Sequence, residues 1–129
     1  MNHQGLDHIA IAVPDTEEAL KLWRDQFGFP VVCSEIVNDG TVKLTHLDLG
    51  NTHLQLVQPM TEDHPLQDWI AKNGSGLHHF CLRVDNVDTA IKESPVPTAA
   101  SPHQGTQGKR AVFVDKAGAQ NTLLEYTGQ

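Results

Sequence analysis

One motif occurs twice along this chain, and its repetition limits the folds available. His8-Ile9-Ala10-Ile11-Ala12-Val13-Pro14-Asp15-Thr16 runs into Glu17-Glu18-Ala19-Leu20-Lys21-Leu22-Trp23. Further on, His79-Phe80-Cys81-Leu82-Arg83-Val84-Asp85-Asn86-Val87 runs into Asp88-Thr89-Ala90-Ile91-Lys92. Each copy reads as a histidine, an alternating strand, a polar turn and the start of an amphipathic helix. A repeat of this length is one supersecondary unit that needs a second copy to complete its core. Period-two alternation puts Ile9, Ile11 and Val13 on one face and His8, Ala10 and Ala12 on the other. In the second copy it separates Phe80, Leu82 and Val84 from His79, Cys81 and Arg83.

Each helix starts at a capping residue, Asp15 or Thr16 in the first copy and Asn86 or Asp88 in the second. The first carries Ala19, Leu20, Trp23 and Phe27 at helical spacing, stops at Gly28, and is expected to pack on the Ile9/Ile11/Val13 face. The small residues beside His8 leave room for a cavity on the opposite face. Strands are then expected at Val31–Ile36, Val42–Leu49 and His53–Gln58, with a Gly50-Asn51-Thr52 turn. In the second half Pro95–Thr98, Ala111–Asp115 and Thr122–Thr127 are the expected strands, and Ala99–Gly108 reads as a loop. A short helix around Leu66–Lys72, closed by Asn73-Gly74-Ser75-Gly76, links the halves. The expected fold is α+β: a single domain of two tandem βαβββ modules, 6–59 and 77–127, joined by a linker at 60–76. Together they would form a curved mixed sheet around a metal-containing cavity.

Duplicated modules should repeat their functional residues at a constant offset. His8 and His79 are 71 positions apart. The last strand of each half carries one polar residue in an apolar run, Gln55 in Leu54-Gln55-Leu56-Val57 and Glu125 in Leu123-Leu124-Glu125-Tyr126, and these are 70 apart. A single histidine on a strand is more often structural than a ligand. Four matched polar residues on matched strands are a different matter. Two imidazole nitrogens and two side-chain oxygens suit one borderline divalent ion: Co, Mn, Ni, Zn or Fe. A metal would also satisfy Glu125, a carboxylate that is costly inside an apolar strand. Thiolates are absent from the matched positions, which disfavours soft metals. His78, next to His79, points to the other face. His46 and His53 lie on or beside the cavity strands, within approach of a substrate, whereas His3, His64 and His103 read as surface or loop residues.

A formal charge of −7 argues against nucleic-acid binding, which needs a basic face. Hydrophobic residues at 39% and charged residues at 19% are ordinary for a folded chain, and 129 residues suffice for a useful core. No signal-like start and no membrane-length apolar run are visible. Cys33 and Cys81 show no motif spacing and read as core thiols in a reducing compartment. The expectation is a soluble, cytoplasmic protein with no membrane partner.

At these residues the sequence resembles the vicinal oxygen chelate superfamily, which groups glyoxalases, bleomycin-resistance proteins and dioxygenases, and within it the methylmalonyl-CoA epimerase branch. The matching stretches are Leu6–Asp15, Leu49–Leu56, Gly76–Phe80, Gly108–Phe113 and Leu123–Glu125. The resemblance implies metal ligation by His8, Gln55, His79 and Glu125. It implies an acyl-CoA substrate, a polarised thioester carbonyl and an enolate formed by loss of the α-proton. Epimerisation needs a base on each face. Glu125 would be one. In some epimerases the other is a glutamate on the strand matching Thr41–Leu47, which here holds no carboxylate and offers Lys43 or His46 instead. Lys109, Arg110 and Lys116 are candidates to contact the CoA phosphates, although their charge pattern alone fits solvated loop cations equally well. Val114-Asp115-Lys116 departs from the His-Pro-Lys usual in the branch.

Three other readings share the fold. A glyoxalase I-like lyase would use the same ligands on a glutathione hemithioacetal. A ring-cleaving dioxygenase would use His8, His79 and Glu125 as an iron triad but leave Gln55 idle. A metal-free binding or resistance protein would have no need to keep all four ligands. An exposed sheet edge on a small domain favours a homodimer.

Overall fold

Strand β1 (Leu6–Ala12) buries every second residue, His8, Ala10 and Ala12, as its alternating pattern dictates. The computed structural model describes residues 1–129, and β1 spans the boundary between two units. One unit is Ile9–His78. The other joins Met1–His8 to His79–Gln129. No helix is long and apolar enough to cross a membrane.

In the unit Ile9–His78, α1 (Thr16–Leu20) is capped by Asp15, whose side chain accepts from the Glu18 amide. It runs into a π-helical turn (Lys21–Gln26), and Gly28 then adopts φ +82° to leave the helix. The strands β2 (Val31–Val37), β3 (Val42–Asp48) and β4 (His53–Pro59) follow, in the spatial order β2-β3-β4-β1. Helix α2 (Pro65–Asn73) starts with proline in its first turn and ends at Gly74. The sheet separates two cores. Ile11, Val13, Leu47, Leu54 and Leu56 pack with Ala19, Leu20 and Trp23 of the first helix, the expected seat of its apolar stripe, but Phe27, also expected there, is exposed and stacks on Trp23 and Phe29. On the other face Ala10, Ala12, Val42, Leu44 and Val57 pack with Leu66, Trp69 and Ile70 of α2.

In the other unit the order is β1-β5-β8-β7-β6, with β5 (Gly76–Arg83), β6 (His103–Gln104), β7 (Arg110–Phe113) and β8 (Leu124–Gly128). Helix α3 (Val87–Glu93), capped by Asn86, covers a core of Val84, Val87, Ala90, Val112, Val114 and Tyr126. The two halves are alike in a telling way: the first strand of each neighbours the fourth, β1 beside β4 and β5 beside β8.

The second half departs from the expected pattern at its short strand. Pro95–Thr98 forms only a single bridge, Thr98 to Val114, because Pro95 and Pro97 lack amide donors for a ladder. The strand comes instead from His103–Gln104, inside the stretch read as a loop, paired with Ala111 and Arg110.

Candidate metal centre

Glu125 lies at the middle of the buried polar cluster in the second unit. On β8, Leu124 and Tyr126 turn toward the α3 core, so Glu125 must turn to the opposite face. The parallel pairing with β5 sets Cys81 opposite Glu125, and the antiparallel pairing with β7 sets Phe113 there. His79 shares the face of Cys81, and His8 arrives from β1.

One carboxylate oxygen takes both imidazoles. Glu125 Oε1 is 3.4 Å from His8 Nε2 and 3.2 Å from His79 Nε2. The second oxygen, Oε2, is 2.8 Å from His103 Nε2. The His8 and His79 rings meet edge to face, with centroids 5.6 Å apart. His8, His79 and Glu125 are 3%, 8% and 5% exposed, so the cluster is screened from bulk water. Phe113 forms a wall beside it, edge-on to His79 and stacked on His103 at centroid distances of 5.0 and 5.3 Å.

His8 is held from behind. Its Nδ1 lies 2.8 Å from Asp7 Oδ2, and Arg83 Nε donates to Asp7 Oδ1 at 3.2 Å. With the proton of a neutral imidazole on Nδ1, facing Asp7, the lone pair is on Nε2, facing Glu125. Burial alone would push the Asp7 carboxyl up, but the bond and charge of His8, with help from Arg83 and Lys109, hold it at about 2. Burial pulls His8 down, yet in the protonated ring both nitrogens carry a proton, and bonding to Asp7 and Glu125 raises it above its ordinary value. Burial opposes ionisation of Glu125 too, and the hydrogen bonds of His103, His79 and His8 overcome it, leaving the carboxyl well below the usual range.

Cys81 stands outside the matched offsets but belongs to the cluster. Its sulfur and the ligand atoms of His8 and Glu125 all lie within 4.8 Å of one another. Burial, then the neighbouring carboxylates Glu125 and Asp7, push the thiol far up, so in this setting it is a neutral thiol. The other residue missed is His103. The sequence pattern places it in a loop, but strand β6 puts it on the face of Glu125. No periodicity could have shown this in a two-residue strand; the pairing register alone does it. Asp7 was legible only as part of the Asp7-His8 dipeptide.

The remaining expected residues lie as follows. In the unit Ile9–His78, Gln55 is buried between Leu54 and Leu56 but faces the other way, with Val57. His46 lies directly across the β3–β4 ladder from it, on the same face. Lys43 does not share that face. It pairs with Gln58, whose side-chain oxygen accepts from Thr16 at the start of α1, so Lys43 lies on the helix-bearing side. His78, as expected, turns away from the face of His79 and meets Trp69 edge-on. His64 caps α2, accepting from the Leu66 amide. Arg110 spends its guanidinium on both oxygens of Asp88 and on the Gln129 carbonyl. Lys109 is half-buried and Lys116 exposed.

The donor set fits a divalent ion. Two imidazole nitrogens converge on one carboxylate oxygen, and a carboxylate behind His8 fixes the ring in the tautomer a metal requires. The family model described as the Glyoxalase/Bleomycin resistance protein/Dioxygenase superfamily matches residues 7–113, a stretch that includes Asp7, His8, His79, His103 and Phe113. The chain belongs to that superfamily. Within the glyoxalase superfamily it is similar to the mitochondrial methylmalonyl-CoA epimerase of Mus musculus, 33% identical over an alignment of 127 positions that covers 93% of this chain and 70% of that one. It is also similar to the ethylmalonyl-CoA/methylmalonyl-CoA epimerase of Cereibacter sphaeroides, 32% identical over an alignment of 126 positions that covers 93% of this chain and 94% of that one. Among solved structures, a variant of Streptomyces coelicolor methylmalonyl-CoA epimerase in complex with 2-nitronate-propionyl-CoA matches with a TM-score of 0.86 and 28% identity, covering 99% of each chain.

Proposed function

We propose that this chain is a metal-dependent epimerase of a 2-substituted acyl-CoA, moving the proton on the carbon beside the thioester. The observation that carries the reading is the meeting of His8 and His79 on one oxygen of Glu125, with Asp7 behind His8. His8, His79 and Glu125 would hold the ion, and Gln55 is assigned to it by its place in the duplicated spacing. When bound, such an ion supplies Lewis acidity that favours an enolate oxygen over the ground-state carbonyl.

The protein's own residues do the rest. Asp7 and Arg83 fix the His8 ring. The three imidazoles keep Glu125 ionised in a buried setting, and an ionised carboxylate is the form that accepts an α-proton. Phe113 shields the carboxylate from water. Lys43, on the helix-bearing side, is not assigned as the second base. Nor is His46, whose ring nitrogens are both engaged.

The test is α-proton exchange from methylmalonyl-CoA in deuterated water, with elemental analysis of the same protein. One equivalent of divalent metal together with deuterium uptake at the α-carbon supports the reading. Bound metal with turnover of a glutathione hemithioacetal instead would favour the lyase. A chain that stays empty after incubation with Mn, Co, Ni, Fe and Zn would favour the metal-free binding protein.

A further inference from the structure

A line of three side chains runs along the β3–β4 ladder in the unit Ile9–His78. The Gln55 amide nitrogen is 3.1 Å from His46 Nε2, and His46 Nδ1 is 3.1 Å from His53 Nδ1. The ladder makes this possible. His46 pairs directly with Gln55, and His53 is two residues before Gln55 on the same strand and therefore on the same face. The two rings meet edge to face, their centroids 5.3 Å apart. His46 and Gln55 are buried and His53 is half-buried.

The chemistry of the atoms sets the direction. An amide nitrogen only donates, so His46 Nε2 must accept. In a neutral ring the proton is then on Nδ1, which donates to His53 Nδ1, and that nitrogen must in turn be unprotonated. Donation thus runs one way along the line, from Gln55 to His46 to His53, and the relay has one consistent arrangement. Its consequence falls on Gln55. With the nitrogen committed to His46, the carbonyl oxygen is at the other branch of the amide. A glutamine can serve as a metal ligand only through that oxygen, since its nitrogen has no lone pair to offer.

We propose that His46, steadied by His53, is a positioning residue that fixes the Gln55 amide with its oxygen presented as a metal donor. This rests on the reading of Gln55 as a ligand. It also gives His46 a role other than the base suggested by its strand position, since both its ring nitrogens are bonded in orienting Gln55.

Long-range proton–nitrogen NMR of the imidazole rings in metal-free protein tests the orientation directly. The expected result is His46 protonated on Nδ1 and His53 unprotonated on Nδ1. A His46 ring protonated on Nε2 would overturn the proposal, because the amide oxygen would then face the ring. Metal titration supplies the second readout. His46→Phe should weaken Zn or Mn binding by about tenfold to a hundredfold, as is typical when a supporting partner of a ligand is lost. His46→Gln, which keeps an acceptor near the same place, should recover most of that loss. Thermal unfolding of each variant separates loss of fold from loss of orientation. Unchanged affinity in folded His46→Phe also overturns the proposal. If the wild-type chain takes up no metal at all, the ligand reading fails, and the positioning role falls with it. The tautomers would then still show whether the relay exists.

Discussion

Asp7 Oδ2 lies 2.8 Å from His8 Nδ1, two neighbours on one strand whose side chains bond to each other although the backbone sends them to opposite faces. That bond selects the tautomer of His8 and aims Nε2 at Glu125. Asp7→Asn keeps the shape and removes the charge. It is expected to lower metal affinity by about tenfold to a hundredfold, measured by isothermal titration with Zn or Mn. An affinity equal to wild type would mean that ring orientation is set by packing alone.

Glu125→Gln removes the carboxylate shared by three imidazoles. The variant is expected to purify with no bound metal and to show no α-proton exchange above background. Elemental analysis and deuterium incorporation are the measurements. Full metal occupancy in Glu125→Gln would remove this residue from the ligand set.

The metal-free chain should have an unusual dependence of stability on pH. His8 binds its proton more tightly in the fold than its ordinary 6.5, so its contribution is complete below that value and is lost as pH rises through the higher folded one. Asp7, at about 2 against 3.8, contributes above 3.8, and that contribution is lost as pH falls toward 2. Glu125 acts in the same sense as Asp7. Thermal unfolding in chelator is therefore expected to peak at mildly acid pH, roughly 4 to 6.5. A bound divalent ion replaces the His8 proton as the positive charge, so adding Zn should flatten the alkaline side. A midpoint that climbs steadily to pH 8 without metal would contradict this.

His103 bonds the outer oxygen of Glu125 and stacks on Phe113. His103→Phe keeps the stack and removes the donor. Metal affinity is expected to fall by roughly tenfold, while the unfolding midpoint changes little because the ring is half-exposed. A large loss of stability with unchanged affinity would make His103 a purely structural residue.

Leu56 is fully buried between β4 and the first helix, and Leu56→Ala is expected to cost about 2–5 kcal/mol. Chemical denaturation should show the loss, with any remaining folded protein still binding metal.

The sequence by itself determined the periodic part of this protein. Alternation put His8 with Ala10 and Ala12, and His79 with Cys81, because a strand's side chains must change faces at each residue. The matched offsets singled out Gln55 and Glu125, and the helix stripe of Ala19, Leu20 and Trp23 named its own seat. What only the tertiary structure decided depends on register between strands distant in the chain. Pairing of β5, β7 and β8 gathers Cys81 and Phe113 about Glu125, and β6 brings His103 out of an apparent loop to the second carboxylate oxygen. The ladder between β3 and β4 gives His46 to Gln55 and leaves Lys43 on the helix side. A side chain's face is written in its own strand, but its neighbours are set by hydrogen bonds that the local sequence does not specify.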